Sequence, residues 1–186
     1  MKKVSLYFVS HKDFSIDNNK DLRDAADTSL LSAAFPGNSY TMTKNKYGKP
    51  CFTDEGAPFF SISHAKGYSV LAKSDAELGV DIEEIKEGLS EKREKINADI
   101  AKNYFDKDSA VLYEKADPSE KPELFAKFWT AAESMLKCAG TGFYADPRNN
   151  PSVYEGYITK TIMHEDHVIS VSMKEEFEII YPLHST

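Results

Sequence analysis

Residues 59–85 read FFSISHAKGYSVLAKSDAELGVDIEEI, and the rest of the chain is organised around this stretch. Apolar residues lie on both sides of a turn at Lys66-Gly67, which predicts one strand over 59–63 and a second over 68–73. A third strand is predicted over 78–83, after a polar turn. Short strands at this spacing, following a helix, indicate a small antiparallel sheet with a helix packed on it.

Two carboxylates lie in the third predicted strand. Side chains alternate between the faces of a strand, so Asp81 and Glu83 share one face while Val80 and Ile82 share the other. Carboxylates on one face repel each other unless a cation lies between them. Oxygen ligands of this kind suit Mg²⁺, with Mn²⁺ as the alternative, better than zinc. The pair is equally compatible with the solvated face of an edge strand, so both interpretations stay open.

Helical periodicity and capping residues place the other elements of the chain. A helix is predicted over residues 16–35, with Asp17 or Asn18 as its cap. Further helices are predicted over 90–104, 109–116 and 123–139. Further strands are predicted over 3–9, 40–46, 153–162, 167–173 and 177–181.

The order of these elements predicts an α+β fold in two similar lobes. Residues 1–86 and residues 87–186 each contain helical material and a small sheet. We expect the lobes to lie side by side in a pseudo-twofold arrangement. Ligand sites favour such interfaces, so the active site is predicted in the cleft between them.

Composition excludes several classes of protein. The chain has 186 residues, of which 41% are hydrophobic, enough to bury a core. A net charge of −7 disfavours non-specific nucleic-acid binding. No apolar run approaches membrane-spanning length, and the apolar run near the N-terminus is too short for a signal peptide. We therefore expect a cytoplasmic protein without nucleic-acid or membrane partners, with Cys51 and Cys138 as free buried thiols.

The longest predicted helix adds a third carboxylate and a lysine. Glu133 and Lys137 are four residues apart and share one helix face. A surface ion pair is one interpretation of this spacing. In the other, Glu133 joins the two strand carboxylates in a metal site, and Lys137 contacts a phosphate bound to that metal. Lys49 and His64 are further candidate anion contacts.

Two other groups are interpreted as structural. Trp129, one turn before Glu133, is predicted to anchor the core. The segment His164-Glu165-Asp166-His167 lies between two predicted strands, so we interpret it as a hairpin turn rather than a transition-metal site.

Three motifs occur in a characteristic order along the chain. They are Tyr47-Gly48-Lys49-Pro50, then Phe60-Ser61-Ile62-Ser63-His64 with Gly79-Val80-Asp81-Ile82-Glu83, then Phe128-Trp129-Thr130 followed by Glu133, Lys137 and Gly140-Thr141-Gly142-Phe143. With these motifs the chain resembles the 4′-phosphopantetheinyl transferases, in particular their surfactin-type, pseudo-dimeric branch. The segment Ile100-Ala101-Lys102-Asn103-Tyr104-Phe105 resembles that family's helix between the second and third motifs. The resemblance extends from about residue 40 to about residue 145.

The resemblance implies a reaction and its partners. Phosphopantetheine would move from coenzyme A to a serine hydroxyl of an apo acyl or peptidyl carrier protein, releasing 3′,5′-ADP. Such carriers belong to fatty acid, polyketide and nonribosomal peptide synthesis. The implied fold is two α+β lobes with coenzyme A in the cleft, and the pseudo-dimer favours a monomer in solution.

The resemblance also implies roles for individual residues. Asp81, Glu83 and Glu133 would hold Mg²⁺ against the pyrophosphate. The nucleotide end would meet Lys49, Ser63 and His64, with His64 at the 3′-phosphate, and Lys137 would contact the phosphates. The implied catalytic residues are Asp81, Glu133 and Lys137, with Glu133 as general base, directly or through water.

Two departures from the family pattern keep alternatives open. The family often has a basic residue where this chain has Ala132. Its first helix usually carries basic residues, whereas this one has Asp21, Asp24 and Asp27 with Arg23 as its only arginine. One alternative is a family member that binds coenzyme A or a carrier protein but transfers poorly. The other is a binding module that holds a divalent ion structurally.

Overall fold

The structure is a computed structural model and describes residues 1–37 and 39–182. The strands are β1 Lys2–Ser10, β2 Met42–Lys44, β3 Pro50–Phe52, β4 Phe59–Ala65, β5 Tyr68–Ser74, β6 Leu78–Glu84, β7 Ile158–His164, β8 His167–Met173 and β9 Phe177–Ile180. The α-helices are α1 Asn19–Ala34, α2 Glu91–Tyr104, α3 Lys107–Lys115 and α4 Lys121–Ala139.

Local signals fix most of the helix ends as predicted. The side chain of Asn18 accepts hydrogen bonds from the backbone of Lys20 and Asp21, which confirms it as the cap of α1. Ser90 caps α2 in the same way. Helix α4 ends at Gly140, whose φ of +69° is a left-handed conformation that glycine adopts without strain.

The strand predicted over 153–162 is partly wrong. Residues Pro151–Tyr154 form a short 3-10 helix, and β7 begins only at Ile158. Between them Gly156 has a φ of +76°, which turns the chain before the strand starts. The Tyr154 hydroxyl donates to the carbonyl oxygen of Tyr104 at 2.6 Å, so this segment packs against the end of α2 instead of extending a sheet.

Two main sheets and one small hairpin make up the β structure. The first sheet has the order β4-β5-β1-β9, in which β1 and β9 are parallel and the other pairs are antiparallel. The second sheet is antiparallel with the order β6-β8-β7, and β2 pairs with β3 separately. The prediction that β6 continues the sheet of β4 and β5 is therefore wrong. Ser61 of β4 does accept a hydrogen bond from the Val80 backbone, so β4 and β6 are neighbours where the two sheets meet.

The two sheets pack face to face through one apolar core. Its buried residues are Val4, Leu6, Val70, Ala72, Leu78, Val80, Ile82, Ile169, Val171, Met173 and Phe177. Helix α1 covers the other face of the first sheet, and α4 packs against β6 and β8 of the second. The alternation predicted for β6 is confirmed, because Val80 and Ile82 face this core whereas Asp81 faces α4.

Gly79 lets α4 lie directly on β6. A Cβ atom at this position would overlap the carbonyl oxygen of Ser134 and the backbone nitrogen of Cys138. Buried hydroxyl pairs hold the same helix on β8, namely Thr130–Ser170 at 2.8 Å and Ser134–Ser172 at 2.7 Å. This close seating brings Glu133 and Lys137 to the face of β6 that carries Asp81.

The α+β class is confirmed, whereas the two-lobe division stays a prediction. Strand β6 pairs in the second sheet and β9 pairs in the first, so each sheet takes a strand from the other side of residue 86. No helix in the described part of the chain combines the length and apolar character that a membrane span needs.

Two minor predictions agree with the structure, apart from the predicted burial of Cys51. His164 and His167 close the β7–β8 hairpin as a facing pair, so the segment is a turn. Cys51 and Cys138 are free thiols, Cys138 buried and Cys51 half-buried. Burial raises the pKa of the Cys138 thiol to about 11, which leaves it protonated and unreactive at neutral pH.

Candidate active site

One cavity of about 280 Å³ collects most of the predicted site residues. It lies between β4, β6 and α4, with α1 at one side. Its lining residues are Arg23, Ile62, Ser63, His64, Asp81, Ile82, Glu83, Trp129, Glu133 and Lys137. Every site residue predicted from the sequence lies on its wall except Lys49.

Asp81, Ser63 and Lys137 form a hydrogen-bonded group in this cavity. Asp81 is 6% exposed, and its Oδ1 accepts from the Ser63 hydroxyl and from the Lys137 ammonium, both at 2.6 Å. Lys137 also donates to the Ser63 oxygen at 2.8 Å. The lysine thus reaches across to β6, and the buried carboxylate is neutralised by a cation, as a charge in such a site must be.

Glu133 lies in surroundings that disfavour its charged form. Burial, followed by repulsion from Asp81 and Glu83, raises its pKa to about 7, against an opposing effect of Lys137. The repulsion shows that the three predicted metal ligands face one another closely enough to interact. A carboxylate with a pKa near neutrality can accept a proton under ordinary conditions.

The other two predicted residues on the wall have partners of their own. The Nε2 atom of His64 lies 2.7 Å from Oδ1 of Asp27 on α1. Glu83 pairs with Lys86, three residues on. One of the aspartates that distinguished the first helix therefore holds the predicted nucleotide-binding histidine in place.

Lys49 is not brought to this cavity. Its Nζ atom lies 2.8 Å from Glu77 and 3.0 Å from the carbonyl oxygen of Leu78, at the start of β6. The turn that carries it is tied to the end of α4, because Asn45 donates to the carbonyl oxygen of Gly140 at 2.7 Å. In this structure Lys49 therefore ties the turn to the start of β6, and its contact with the nucleotide stays a prediction.

A second cavity, of about 500 Å³, adjoins the first and is rich in basic side chains. It shares Arg23, His64 and Glu83 with the first. Its other ionisable lining residues are His11, Lys66 and Lys86. Sequence reasoning missed these three, and only the position of Lys66, two residues after His64, offered a signal.

Ala132 lies on the inner side of α4. Its side chain is 2% exposed, whereas the neighbouring Glu133 faces the cavity. A basic residue at this position in the present packing would have to be buried. The absence of a basic residue at position 132 therefore leaves the cavity wall unchanged, because this position does not line the cavity.

The site fits a divalent cation by donor type and by charge. Asp81, Glu83 and Glu133 offer only oxygen atoms, which suits Mg²⁺. Burial and the nearby carboxylates Asp81 and Glu83 raise the pKa of Glu133, and a bound cation would favour its charged form. Within residues 1–37 and 39–182, however, no three His, Cys, Asp or Glu side chains are grouped as a finished metal site. The three carboxylates therefore have the donor atoms that a divalent cation needs and influence one another, but they are not arranged as a metal site, and Lys137 pairs with Asp81.

Comparison with known proteins identifies relatives of this chain. The family model of the 4′-phosphopantetheinyl transferase superfamily matches residues 77–176, more than half of the chain. The 4′-phosphopantetheinyl transferase gsp of Aneurinibacillus migulanus is 32% identical over 109 residues, which are 59% of this chain and 42% of that protein.

Two further relatives come from Bacillus subtilis. The 4′-phosphopantetheinyl transferase Sfp of strain 168 is 28% identical over 136 residues, 73% of this chain and 53% of its own. The 4′-phosphopantetheinyl transferase ffp is 31% identical over 131 residues, 70% of this chain and 50% of its own. The chain thus spans about half the length of the curated relatives that it matches.

Proposed function

Because this chain belongs to the 4′-phosphopantetheinyl transferase superfamily, we propose that it moves the 4′-phosphopantetheine group of coenzyme A to a serine hydroxyl of an apo acyl or peptidyl carrier protein. The other product is 3′,5′-ADP. The observation that supports this most strongly is the single cavity that contains Asp81, Glu83, Glu133 and Lys137 beside Ser63 and His64. We further propose that it acts as a cytoplasmic monomer, built from lobes of residues 1–86 and 87–186.

Coenzyme A carries negative charge on its nucleotide phosphate and on its pyrophosphate, and each of the two cavities contains basic side chains that could meet one of these groups. This second cavity, which we call the cationic cavity because Arg23, Lys66 and Lys86 line it beside His64, would receive the phosphorylated nucleotide. The pyrophosphate would then lie in the smaller cavity, where the Lys137 ammonium is available to its oxygens.

In the transfer step the serine oxygen attacks the phosphorus that carries the pantetheine arm. The new bond joins this oxygen to phosphorus, and the bond between that phosphorus and the bridging oxygen of the pyrophosphate breaks. The bridging oxygen leaves with its electron pair as part of 3′,5′-ADP. Glu133 takes the serine proton, directly or through water, and Lys137 balances charge on the leaving phosphate.

The three carboxylates would also hold Mg²⁺, or Mn²⁺, which would supply charge stabilisation to the transferred phosphate. Asp81, Glu83 and Glu133 are the proposed ligands. Lys137 would move from Asp81 to the phosphates when the metal and coenzyme A bind together, because a buried carboxylate needs one cation beside it.

A second candidate function is binding without efficient transfer. The observation that favours it is the Lys137–Asp81 pair, which places a cation on a carboxylate that the metal requires. If the Lys137–Asp81 ion pair is too stable to separate, the chain would bind a carrier or the nucleotide but transfer phosphopantetheine slowly.

Release of 3′,5′-ADP tests the proposal and separates the two candidates. The chain is incubated with coenzyme A, Mg²⁺ and an apo carrier, and the nucleotide is measured by chromatography. We expect stoichiometric release with the native carrier and none with a carrier whose acceptor serine is alanine. Coenzyme A binding without release, across carriers from all three synthase classes, would support the binding function instead.

A further inference from the structure

The turn between β7 and β8 contacts both of the segments that bring lysines to the cationic cavity. We call residues 164–167 the β7–β8 turn. None of these four residues, all within the described part of the chain, lines the cavity. Its two lysines belong to other segments, since Lys66 lies in the β4–β5 turn and Lys86 follows β6. The β7–β8 turn can therefore affect a bound ligand only through its neighbours.

A buried histidine ties this turn to Lys66. His167 is 2% exposed, and its Nε2 atom lies 2.8 Å from the carbonyl oxygen of Lys66. A carbonyl oxygen can only accept a hydrogen bond, so Nε2 carries the proton and donates it. The other ring nitrogen, Nδ1, lies 2.7 Å from Oδ1 of Asp166 but has no hydrogen-bond partner within the described residues. The bond to Lys66 is therefore the one that fixes the ring.

The same turn holds the segment after β6. The carbonyl oxygen of Asp166 accepts a hydrogen bond from the backbone nitrogen of Ile85 at 2.8 Å, directly before Lys86. On its outer side, Glu165 accepts a hydrogen bond from the hydroxyl of Tyr68 at 2.9 Å. The turn is thus joined to the β4–β5 hairpin by two side chains and to the segment after β6 by the backbone.

The two lysine-bearing segments need such a link. Lys66, Lys86 and Arg23 bring three positive charges to one cavity, and like charges repel each other. The strands that lead to the two segments, β4 and β6, belong to different sheets. A direct contact between the segments is the ion pair of Lys66 with Glu84 at 3.3 Å, and an exposed pair of this kind adds little stability. The bonds of the β7–β8 turn therefore oppose the separation of the two lysines.

We propose that His167 is a positioning residue for the donor, which fixes the spacing of Lys66 and Lys86 and so gives the site its preference for a nucleotide with a second phosphate. This inference rests on the proposed function, which places the phosphorylated nucleotide in the cationic cavity. Cations held in place before binding lose less conformational freedom when a phosphate arrives, so they bind it more tightly. AMP lacks the second phosphate, so its affinity should not depend on this spacing.

Two variants at one position separate the hydrogen bond from the packing of the ring. His167→Gln keeps an N–H donor at about the reach of Nε2, whereas His167→Met has a similar length and no donor. The backbone bond between Ile85 and Asp166 remains in both variants. Ser74→Ala is the matched control. Ser74 is 4% exposed and donates to the carbonyl oxygen of Lys3 at 2.9 Å, at the other end of β5.

Calorimetry with 3′,5′-ADP and with AMP measures the preference as the ratio of the two affinities. We expect the wild type to prefer 3′,5′-ADP at least about tenfold. His167→Met should lower this ratio at least about fivefold and leave the AMP affinity within about twofold. His167→Gln should keep the ratio within about twofold of the wild type. Ser74→Ala should keep the wild-type ratio although its Tm is lower.

Steady-state kinetics give a second measurement that loss of stability alone would not produce. His167 lies outside the cavity that contains Asp81, Glu133 and Lys137. His167→Met should therefore raise KM for coenzyme A and leave kcat within about twofold. If His167→Met does not fold, Tyr68→Phe takes its place, because it removes only the hydroxyl that bonds to Glu165. The preference should then fall about two- to threefold, in the same direction.

Each remaining outcome contradicts a distinct claim. A folded His167→Met variant with the wild-type ratio overturns the positioning role, and so does an equal loss of preference in Ser74→Ala. An equal loss in His167→Gln and His167→Met shows that the hydrogen bond to Lys66 is not the cause. Equal affinities of the wild type for the two nucleotides also overturn the proposal. In all these cases nucleotide binding leaves the proposed function standing, whereas a wild-type chain that binds neither nucleotide contradicts both.

Discussion

The Nζ atom of Lys137 lies 2.6 Å from Oδ1 of Asp81, although 56 positions separate the two residues. Helix α4 and strand β6 are packed so closely, through Gly79, that this contact follows from the fold. The pair stabilises the buried Asp81 carboxylate when no ligand is bound, because a buried carboxylate without a cation lowers stability by several kcal/mol. A ligand anion can therefore pair with Lys137 only if another cation takes the place of this lysine beside Asp81.

Anion and metal binding are therefore expected to be coupled. Mg²⁺ should raise the affinity for coenzyme A about tenfold, and coenzyme A should raise the affinity for Mg²⁺ by the same factor, since coupling is reciprocal. Calorimetric titration of each ligand with and without the other measures both factors. In Lys137→Ala the coupling should shrink, because Asp81 then lacks its internal cation and binds the metal unaided. Equal coupling in the wild type and this variant would show that the ion pair does not link the sites.

The raised pKa of Glu133 predicts how stability depends on pH in the absence of metal. The folded chain keeps this proton up to about pH 7, whereas the unfolded chain loses it near the ordinary value of 4.5. The native state binds more protons in that window, so the free energy of unfolding falls as pH rises through it. Glu133→Gln removes this effect and should be more stable than the wild type above pH 7, by about 1 to 3 kcal/mol.

Urea unfolding between pH 4 and 8, in the presence of chelator, measures that difference. Glu123→Gln is the matched control, because Glu123 lies on the same helix but is exposed and pairs with Lys127. Its effect should stay within about 0.5 kcal/mol at every pH. Parallel stability curves for the wild type and Glu133→Gln would contradict the assignment of a raised pKa to Glu133.

The two lysines of the motifs are expected to differ in their effect on transfer. Lys137 lies on the cavity wall, so Lys137→Ala should lower kcat/KM about 100-fold. Lys49→Ala should lower it by less than about threefold, because Lys49 contacts Glu77 and the Leu78 carbonyl outside the cavity. Its effect should appear instead as a lower Tm. Steady-state kinetics with varied coenzyme A that gave the reverse order would contradict this geometry.

Gly79→Ala should be strongly destabilising, because a Cβ atom there would overlap the backbone of α4 at Ser134 and Cys138. We expect a loss of about 3 kcal/mol or more, since backbone atoms of a packed helix cannot move aside cheaply. Gly37→Ala is the comparison, with a φ of +70° and open space around it, and should cost only about 1 kcal/mol. Chemical denaturation measures both. Similar losses in the two variants would show that α4 is not seated on β6 by this glycine.

Local sequence patterns predicted those features of the fold that depend only on residues close together in the chain. The cap at Asn18, the end of α4 at Gly140 and the alternation of Val80 with Asp81 are each decided within one turn or one strand. The carboxylates of β6 were therefore placed on the correct face. The shared helix face of Glu133 and Lys137 followed in the same way from their spacing of four residues.

Long-range pairing was less accessible from the sequence. Nothing within β6 tells whether its hydrogen-bond partner is β5 or the much later β8, since both are short apolar strands. The same limit applies to Lys49, whose position depends on the contact between Asn45 and Gly140, 95 residues apart. The cationic cavity combines α1, the β4–β5 turn and the segment after β6, so periodicity within any one of them does not reveal it.

The most direct test of the central claim is intact-mass measurement of an apo carrier protein after incubation with the chain, coenzyme A and Mg²⁺. The account predicts an increase by one phosphopantetheine group, which is absent with chelator and absent with the folded variant Asp81→Asn, in which a neutral amide replaces a metal-binding carboxylate. An unchanged carrier mass across several carrier types, with coenzyme A bound to the chain, would contradict transfer. A full mass increase with Asp81→Asn at saturating Mg²⁺ would contradict the role of the carboxylates.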